Sequence, residues 1–200
     1  FSSTGSIYGE PKNFPTKENS PFPQQTSLYG SSKLSCEALI QSYCSGFGFN
    51  SIIFRFVSIM GSRYTHGHLF DFYKQLLKNK KKLKVLGNGL QKKSYLNIND
   101  CISAMLMTLK KNNNQKVEIY NLGTDKFITV KYSIKIILKI LNLNPKIYYS
   151  GGKRGWIGDS PKIYLDTSKI KKIGWKPKKT IEQSIKETIN FFIQNKWLFK

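Results

Sequence analysis

The chain has 200 residues, 40% hydrophobic and 14% aromatic, which suits one ordinary domain with a core, or a domain and a small appendage, and excludes a disordered composition. Lys and Arg number 33 against 11 Asp and Glu; a net +22 suggests an anionic partner, yet only Arg55, Arg63 and Arg154 are Arg, the side chain preferred for bidentate phosphate and guanine contacts, so no nucleic-acid partner is expected. No apolar run reaches the ~18 residues of a membrane span and no signal-peptide pattern is visible, while Cys36, Cys44 and Cys101 are odd in number and widely spaced, so reduced thiols in a cytoplasmic protein are expected.

In chain order, residues 1–9 (FSSTGSIYG) read as a strand end and a turn, and residues 10–27, with four prolines, as a loop. Leu34, Ala38, Leu39 and Tyr43 recur at helical spacing and predict a helix over 28–46, closed by Gly46 and Gly48. The apolar run 51–57 suits a buried parallel strand, and 58–63 a loop. His66-Gly67-His68 reads as a polar loop and no metal site is expected. A helix is expected over 69–78, with Lys80-Lys81-Lys82 as its solvated end. Strands over 83–86 and 93–98 flank the turn Gly87-Asn88-Gly89. Asn99 or Asp100 caps a helix running to about Lys111, with Ile102, Met105, Leu106 and Leu109 inward. A turn over 112–115, a strand over 117–122, a helix from Thr129 through Leu141 and a strand over 146–149 follow. A Gly-rich loop over 150–162 leads to a short helix from Asp166, a break at Gly174-Trp175-Lys176-Pro177, and a last helix from the cap Thr180 to about Phe192. Alternating strands and helices mark an α/β protein with a mainly parallel sheet.

Tyr29 and Lys33 are four apart on the first helix, so they share a face and the ammonium can approach the phenol. A cation there favours phenolate, which lets Tyr exchange a proton with a sugar hydroxyl. An ordinary surface pair has the same spacing, and Tyr-x-x-x-Lys is common by chance in a Lys-rich chain. Some 25 residues upstream, Ser2-Ser3-Thr4 ends a strand, where ligands collect in open α/β sheets; a turn or cap is the plain alternative.

Taken together, Ser2-Ser3-Thr4 with Tyr8-Gly9-Glu10, then Tyr29-x-x-x-Lys33 after the Pro-rich loop, resemble the extended short-chain dehydrogenase/reductases. More closely, they are similar to the NAD-dependent nucleotide-sugar epimerase/dehydratase group, in its UDP-glucose 4-epimerase-like form. Arg55-x-x-Ser58-x-x-Gly61 resembles the group's Arg-x-x-Asn-x-x-Gly loop, and Gly87-Asn88-Gly89 through Lys93-Ser94-Tyr95 to Asp100 its Gly-x-Gly-x-x-x-Arg block. Tyr120-Asn121-Leu122-Gly123, Arg154-Gly155-Trp156-Ile157-Gly158-Asp159 and Gly174-Trp175-Lys176-Pro177 match in order, so the resemblance spans nearly the whole chain.

The resemblance implies the C-terminal part of a Rossmann-type doubly wound parallel sheet plus a small α/β substrate-binding subdomain. Residues 1–62 would belong to the NAD-binding domain and 63–200 mainly to the substrate subdomain, with about 100–125 returning to the first. It implies Thr4, Tyr29 and Lys33 as catalytic, Ser3, Tyr29, Lys33 and Val57 at the NAD cofactor, and Thr4, Ser58, Lys93, Arg154 and Asp159 on a nucleotide-sugar substrate. Arg154 would take the diphosphate and Asp159 the ribose side. A homodimer is compatible with it.

Departures refine this. Ser58 replaces the usual Asn, and Lys93 the usual Arg, leaving a point charge in place of a fork. Gly5-Ser6 follows Thr4 where dehydratases carry acids, which favours epimerisation, with C4 of a UDP-hexose as the expected centre. A dehydratase or reductase on the same scaffold, a basic nucleic-acid-binding module and a dead truncated paralogue are the alternatives. The chain opens on Phe1 and has no Gly-x-x-Gly-x-x-Gly turn; by the family's layout, roughly 120 residues would precede it, and this piece alone is expected to be inactive.

Overall fold

The computed structural model describes residues 1–22, 24–111 and 115–199; residues 112–114 of the expected turn lie outside them. β1 (Ser2–Thr4) runs into a 3₁₀ turn over Gly5–Tyr8, and after the polar loop α1 spans Leu28–Phe47. β2 (Ser51–Phe56), β3 (Ser58–Met60), α2 (His68–Lys78), β4 (Lys82–Val85), β5 (Lys92–Lys93), β6 (Tyr95–Asn97) and α3 (Ile98–Leu109) follow. The chain continues through β7 (Val117–Leu122), β8 (Ile128–Thr129), α4 (Val130–Leu141), β9 (Lys146–Tyr149), β10 (Lys162–Ile163), α5 (Ser168–Lys172) and α6 (Ile181–Gln194).

The fold is α/β with parallel sheets, as the alternation of elements implied. β2 lies between β1 and β7, parallel to both, with Ser3 opposite Arg55 and Phe54 opposite Tyr120. β3 pairs with β6 and β4 with β9, again in parallel. The one antiparallel pair among the described residues joins β5 to β8, while β10 pairs with β5 in parallel.

Two apolar clusters organise the packing. One gathers Phe54, Tyr120 and Leu122 from the first sheet with Ile7 of the 3₁₀ turn, Leu96 and Trp175. The other joins Leu69 and Tyr73 of α2, Leu83 of β4, Ile134 of α4, and Ile185 and Phe192 of α6. The α6 start is fixed by a capping box, Thr180 and Gln183 each accepting from the other's backbone N–H (3.2 and 2.8 Å).

Three expectations are corrected. The segment after β2 is not wholly loop: Ser58–Met60 pairs with Tyr95–Asn97, and this splits the strand expected over 93–98 into two pieces with different partners. α3 turns its large apolar residues out: Ile102, Leu106 and Leu109 are 46, 53 and 67% exposed. Its buried face is Cys101, Ala104 and Thr108, which obey the same helical spacing, so periodicity does not choose between them. The small face admits Trp175, whose Nε1 donates to the Asp100 carbonyl (3.1 Å) and Ser103 Oγ (3.0 Å). The cap of α3 is Asn97, whose side chain accepts from Asn99 N (2.9 Å).

The cysteines are unpaired, and burial pushes the Cys101 thiol up to about 12. Among the described residues no helix is long and apolar enough to cross a membrane.

Candidate active site

The parallel strands β1 and β2 end side by side at Thr4 and Phe56, and the chain leaves them at Gly5 and Val57. In an open α/β sheet this edge is where ligands bind. The N-terminus of α1 is drawn against it: a Cβ at Gly30 would lie 2.9 Å from the Ser6 carbonyl, so the Gly of Tyr-Gly-Ser-Ser-Lys is what permits the approach. Ser27 caps α1, its Oγ accepting from Gly30 N (2.9 Å).

A cavity of about 960 Å³ opens from this edge toward α2 and the Gly-rich loop. It lies where the two apolar clusters meet, with Val57 on one wall and Phe72, Tyr95 and Val130 on the other. Its size is that of a small-ligand or cofactor site. The structure brings Ser3, Thr4, Tyr29, Val57, Ser58, Lys93 and Asp159 to its walls. Lys33 and Arg154 are not among the lining residues.

At the sheet end, Thr4 Oγ1 accepts from Ser6 N (3.1 Å) and donates to Ser6 Oγ (3.2 Å), so its hydroxyl caps the 3₁₀ turn while facing the cavity. Tyr29 is 53% exposed and its phenol has no hydrogen bond among the described residues. Lys33 donates to the Ser2 carbonyl (3.0 Å) and sits 4.9 Å from the centre of the Phe1 ring. Its described contacts do not include Tyr29. Ser3 is buried, and its hydroxyl donates to the Glu37 carboxylate. Val57 is buried against Gly123, where a Cβ would meet it at 2.9 Å, and Ser58 is exposed.

The ionic residues hold one another. Lys93 Nζ reaches Asp159 Oδ1 (2.6 Å) and the Ser160 carbonyl, and Gly155 N donates to Asp159 Oδ2 (2.9 Å). Arg154 donates to the Asp159 carbonyl (3.0 Å) and pairs with Glu10. The positive charge of Lys93 and the negative charge of Asp159 are thus both present and both mostly buried.

Sequence reasoning missed His68. Expected in a polar loop, it opens α2 and lines the cavity. Ser133 Oγ spends its hydrogen on the Val130 carbonyl (2.9 Å), so His68 Nε2, 2.9 Å from that oxygen, carries the proton. The ring packs on Tyr95 and Phe72 (centroids 5.4 and 5.6 Å). Burial, and secondly the Lys93 ammonium, lower its pKa to about 4, so the imidazole is neutral near pH 7. The available signal was its place directly before Leu69, where the apolar helical period begins.

The profile of the NAD dependent epimerase/dehydratase family matches residues 1–123, and the chain belongs to that family. A putative UDP-glucose 4-epimerase of Methanocaldococcus jannaschii is 32% identical over 198 residues, covering 97% of this chain and 62% of that protein. The dTDP-D-glucose 4,6-dehydratase of Mus musculus is 28% identical over 199 residues, 98% of this chain and 55% of its own length. The crystal structure of UDP-glucose 4-epimerase with UDP-glucose from Thermotoga maritima superposes with a TM-score of 0.85 at 29% identity, over 98% of this chain and 63% of that one. The chain therefore spans about 60% of the length of these relatives.

Proposed function

We propose that this chain carries the acid/base residues and the substrate pocket of an NAD-dependent nucleotide-sugar 4-epimerase acting on a UDP-hexose. One observation carries the reading: a single cavity is lined by Thr4 and Tyr29 and also by Lys93 and Asp159. Hydroxyl groups suit a sugar, and a cation beside a carboxylate suits a diphosphate next to ribose hydroxyls.

The donor set at the sheet end fits the nicotinamide ribose of NAD. Tyr29 offers an unbonded phenol, and Lys33 has donors left beyond the one given to Ser2. Tyr29, Lys33, Ser3 and Val57 are the residues of this chain that would hold it. When bound, NAD supplies a hydride acceptor that can give the hydride back. Residues 1–62, with about 100–125, are proposed as the part that meets the cofactor, and the rest of 63–200 as the part that meets the substrate.

Tyr29 takes the proton of the sugar 4-hydroxyl and returns it after the carbon has been inverted. Thr4 donates a hydrogen bond to the same oxygen and fixes its position. Lys33 favours the phenolate when its ammonium turns toward the ring. Lys93 and Arg154 move from Asp159 and Glu10 to the diphosphate, and the freed Asp159 accepts from the ribose hydroxyls. Ser58 closes the wall above the sugar.

Dehydration at C6 requires an acid for the departing hydroxyl. The carboxylates lining the cavity are Asp71, on α2, and Asp159, tied to Lys93, and none stands beside Thr4. Product analysis with UDP-glucose, dTDP-glucose and GDP-mannose tests the reading. The expected result is the C4 epimer with no net change in NAD. A 4-keto-6-deoxy sugar would replace it with a dehydratase, the activity named for the mouse relative.

A further inference from the structure

α1 carries Tyr29 and Lys33, yet it buries fully only Gly30, Glu37 and Cys44. Leu39, Tyr43 and Phe47 point to solvent at 61, 55 and 73% exposure. Apolar packing of large side chains therefore does little to fix how the helix is rotated about its axis. Polar links take that part. Tyr29, Lys33 and Glu37 form one stripe at i, i+4 and i+8. Lys33 reaches the Ser2 carbonyl of β1 (3.0 Å), and Glu37 accepts from Ser3 Oγ of the same strand.

Glu37 is wholly buried and Arg55, on β2 opposite Ser3, is 2% exposed. Arg55 grips the carboxylate from both sides of its fork, Nε at 3.1 and 3.2 Å and Nη2 at 2.7 Å. Its Nη1 donates to Tyr8 Oη and the Glu18 carbonyl, both at 2.8 Å. Tyr8 passes the link on to Asn121 Oδ1 of β7 (2.9 Å), and Glu18 Oε1 accepts from Asn121 N (2.9 Å). One buried ion pair thus ties α1, all three strands of the first sheet and the Pro-rich loop. A buried pair costs much of its attraction in lost hydration, so stability alone is a poor reason for it; directional registry is a better one.

We propose that Glu37, clamped by Arg55, is a positioning residue that sets the rotation of α1 and so places the Tyr29 phenol beside Thr4. The inference rests on the reading of Tyr29 and Thr4 as the reacting pair. The hydrogen bonds and ion pairs of Lys93, Arg154 and Asp159 involve neither Glu37 nor Arg55, so substrate affinity is expected not to depend on the clamp.

The test uses the native protein that contains this chain, with NAD and UDP-glucose. Glu37→Gln keeps the shape and removes the charge. Because Arg55 is then left unpaired, Glu37→Met with Arg55→Met serves as a well-packed apolar partner variant. Melting temperature, kcat and KM are measured for both, with Tyr29→Phe in parallel. The expected result is a kcat at least tenfold lower per folded molecule in both variants, KM within about twofold, and no recovery of kcat in the double variant even where its melting temperature is restored. A kcat at the parent value in either folded variant, while Tyr29→Phe is inactive, overturns the positioning role alone. An active Tyr29→Phe overturns the reading on which it rests.

Discussion

At the scale of single residues, His68 is the cavity group whose surroundings bear most directly on its charge. The His68 imidazole is neutral, protonated at Nε2 and set beside Lys93. Its native pKa of about 4 lies below the ordinary value of 6.5. Between those values the unfolded chain takes up a proton that the folded chain refuses. Stability attributable to this site is therefore full above about pH 6.5 and falls as pH drops toward 4, by at most about 3 kcal/mol. His68→Gln should flatten the stability profile between pH 4 and 6.5, read by denaturant unfolding at each pH, and leave its slope above pH 6.5 unchanged. An unchanged acid slope would show that His68 titrates normally. The Lys93–Asp159 pair has a plainer reading: each charge keeps the other from standing buried and alone.

At the scale of elements, α1 shows which features override propensity. Gly costs a helix roughly 1 kcal/mol relative to Ala, so propensity alone favours Gly30→Ala. The 2.9 Å approach to the Ser6 carbonyl opposes it, because that neighbour is backbone and cannot turn away. Gly30→Ala should lower stability by about 1–3 kcal/mol, and kcat with it, since α1 must lift from the strand end. A melting temperature at or above the parent's would mean that the helix relaxes freely. Much of the element order was legible: β7 and β9 fall on the residues read from the sequence, and Thr129 and Thr180 cap α4 and α6. What was not legible depended on partners. Cys101, Ala104 and Thr108 share helical spacing with Ile102, Leu106 and Leu109, and only the packing of Trp175 against the small face decides which is inside. Of the candidate residues read from the sequence, Thr4, Tyr29, Lys93 and Asp159 line one cavity, while Lys33 and Arg154 are not among its lining residues. That Lys33 turns to the Ser2 carbonyl, and Arg154 to the Glu10 carboxylate, is a matter of tertiary pairing that motif order does not specify.

At the scale of the whole molecule, the +22 charge carries less meaning than its size suggests. Among the described residues, Glu10, Glu37, Glu118, Asp125, Asp159 and Glu187 each pair with a Lys or Arg. The remaining ammonium groups are mostly on solvated faces, such as Lys80-Lys81-Lys82 beyond α2. Two apolar clusters meeting at one cavity, lined by a sheet edge and by the Lys93–Asp159 pair, form the frame for the proposed chemistry. The central claim is that the Tyr29 phenol moves the proton. Turnover of UDP-glucose by Tyr29→Phe in the native protein, measured beside its nucleotide-sugar affinity, tests it most directly. The account predicts a kcat lower by about 10²–10⁴-fold with affinity unchanged within about twofold, and turnover at the parent rate would contradict it.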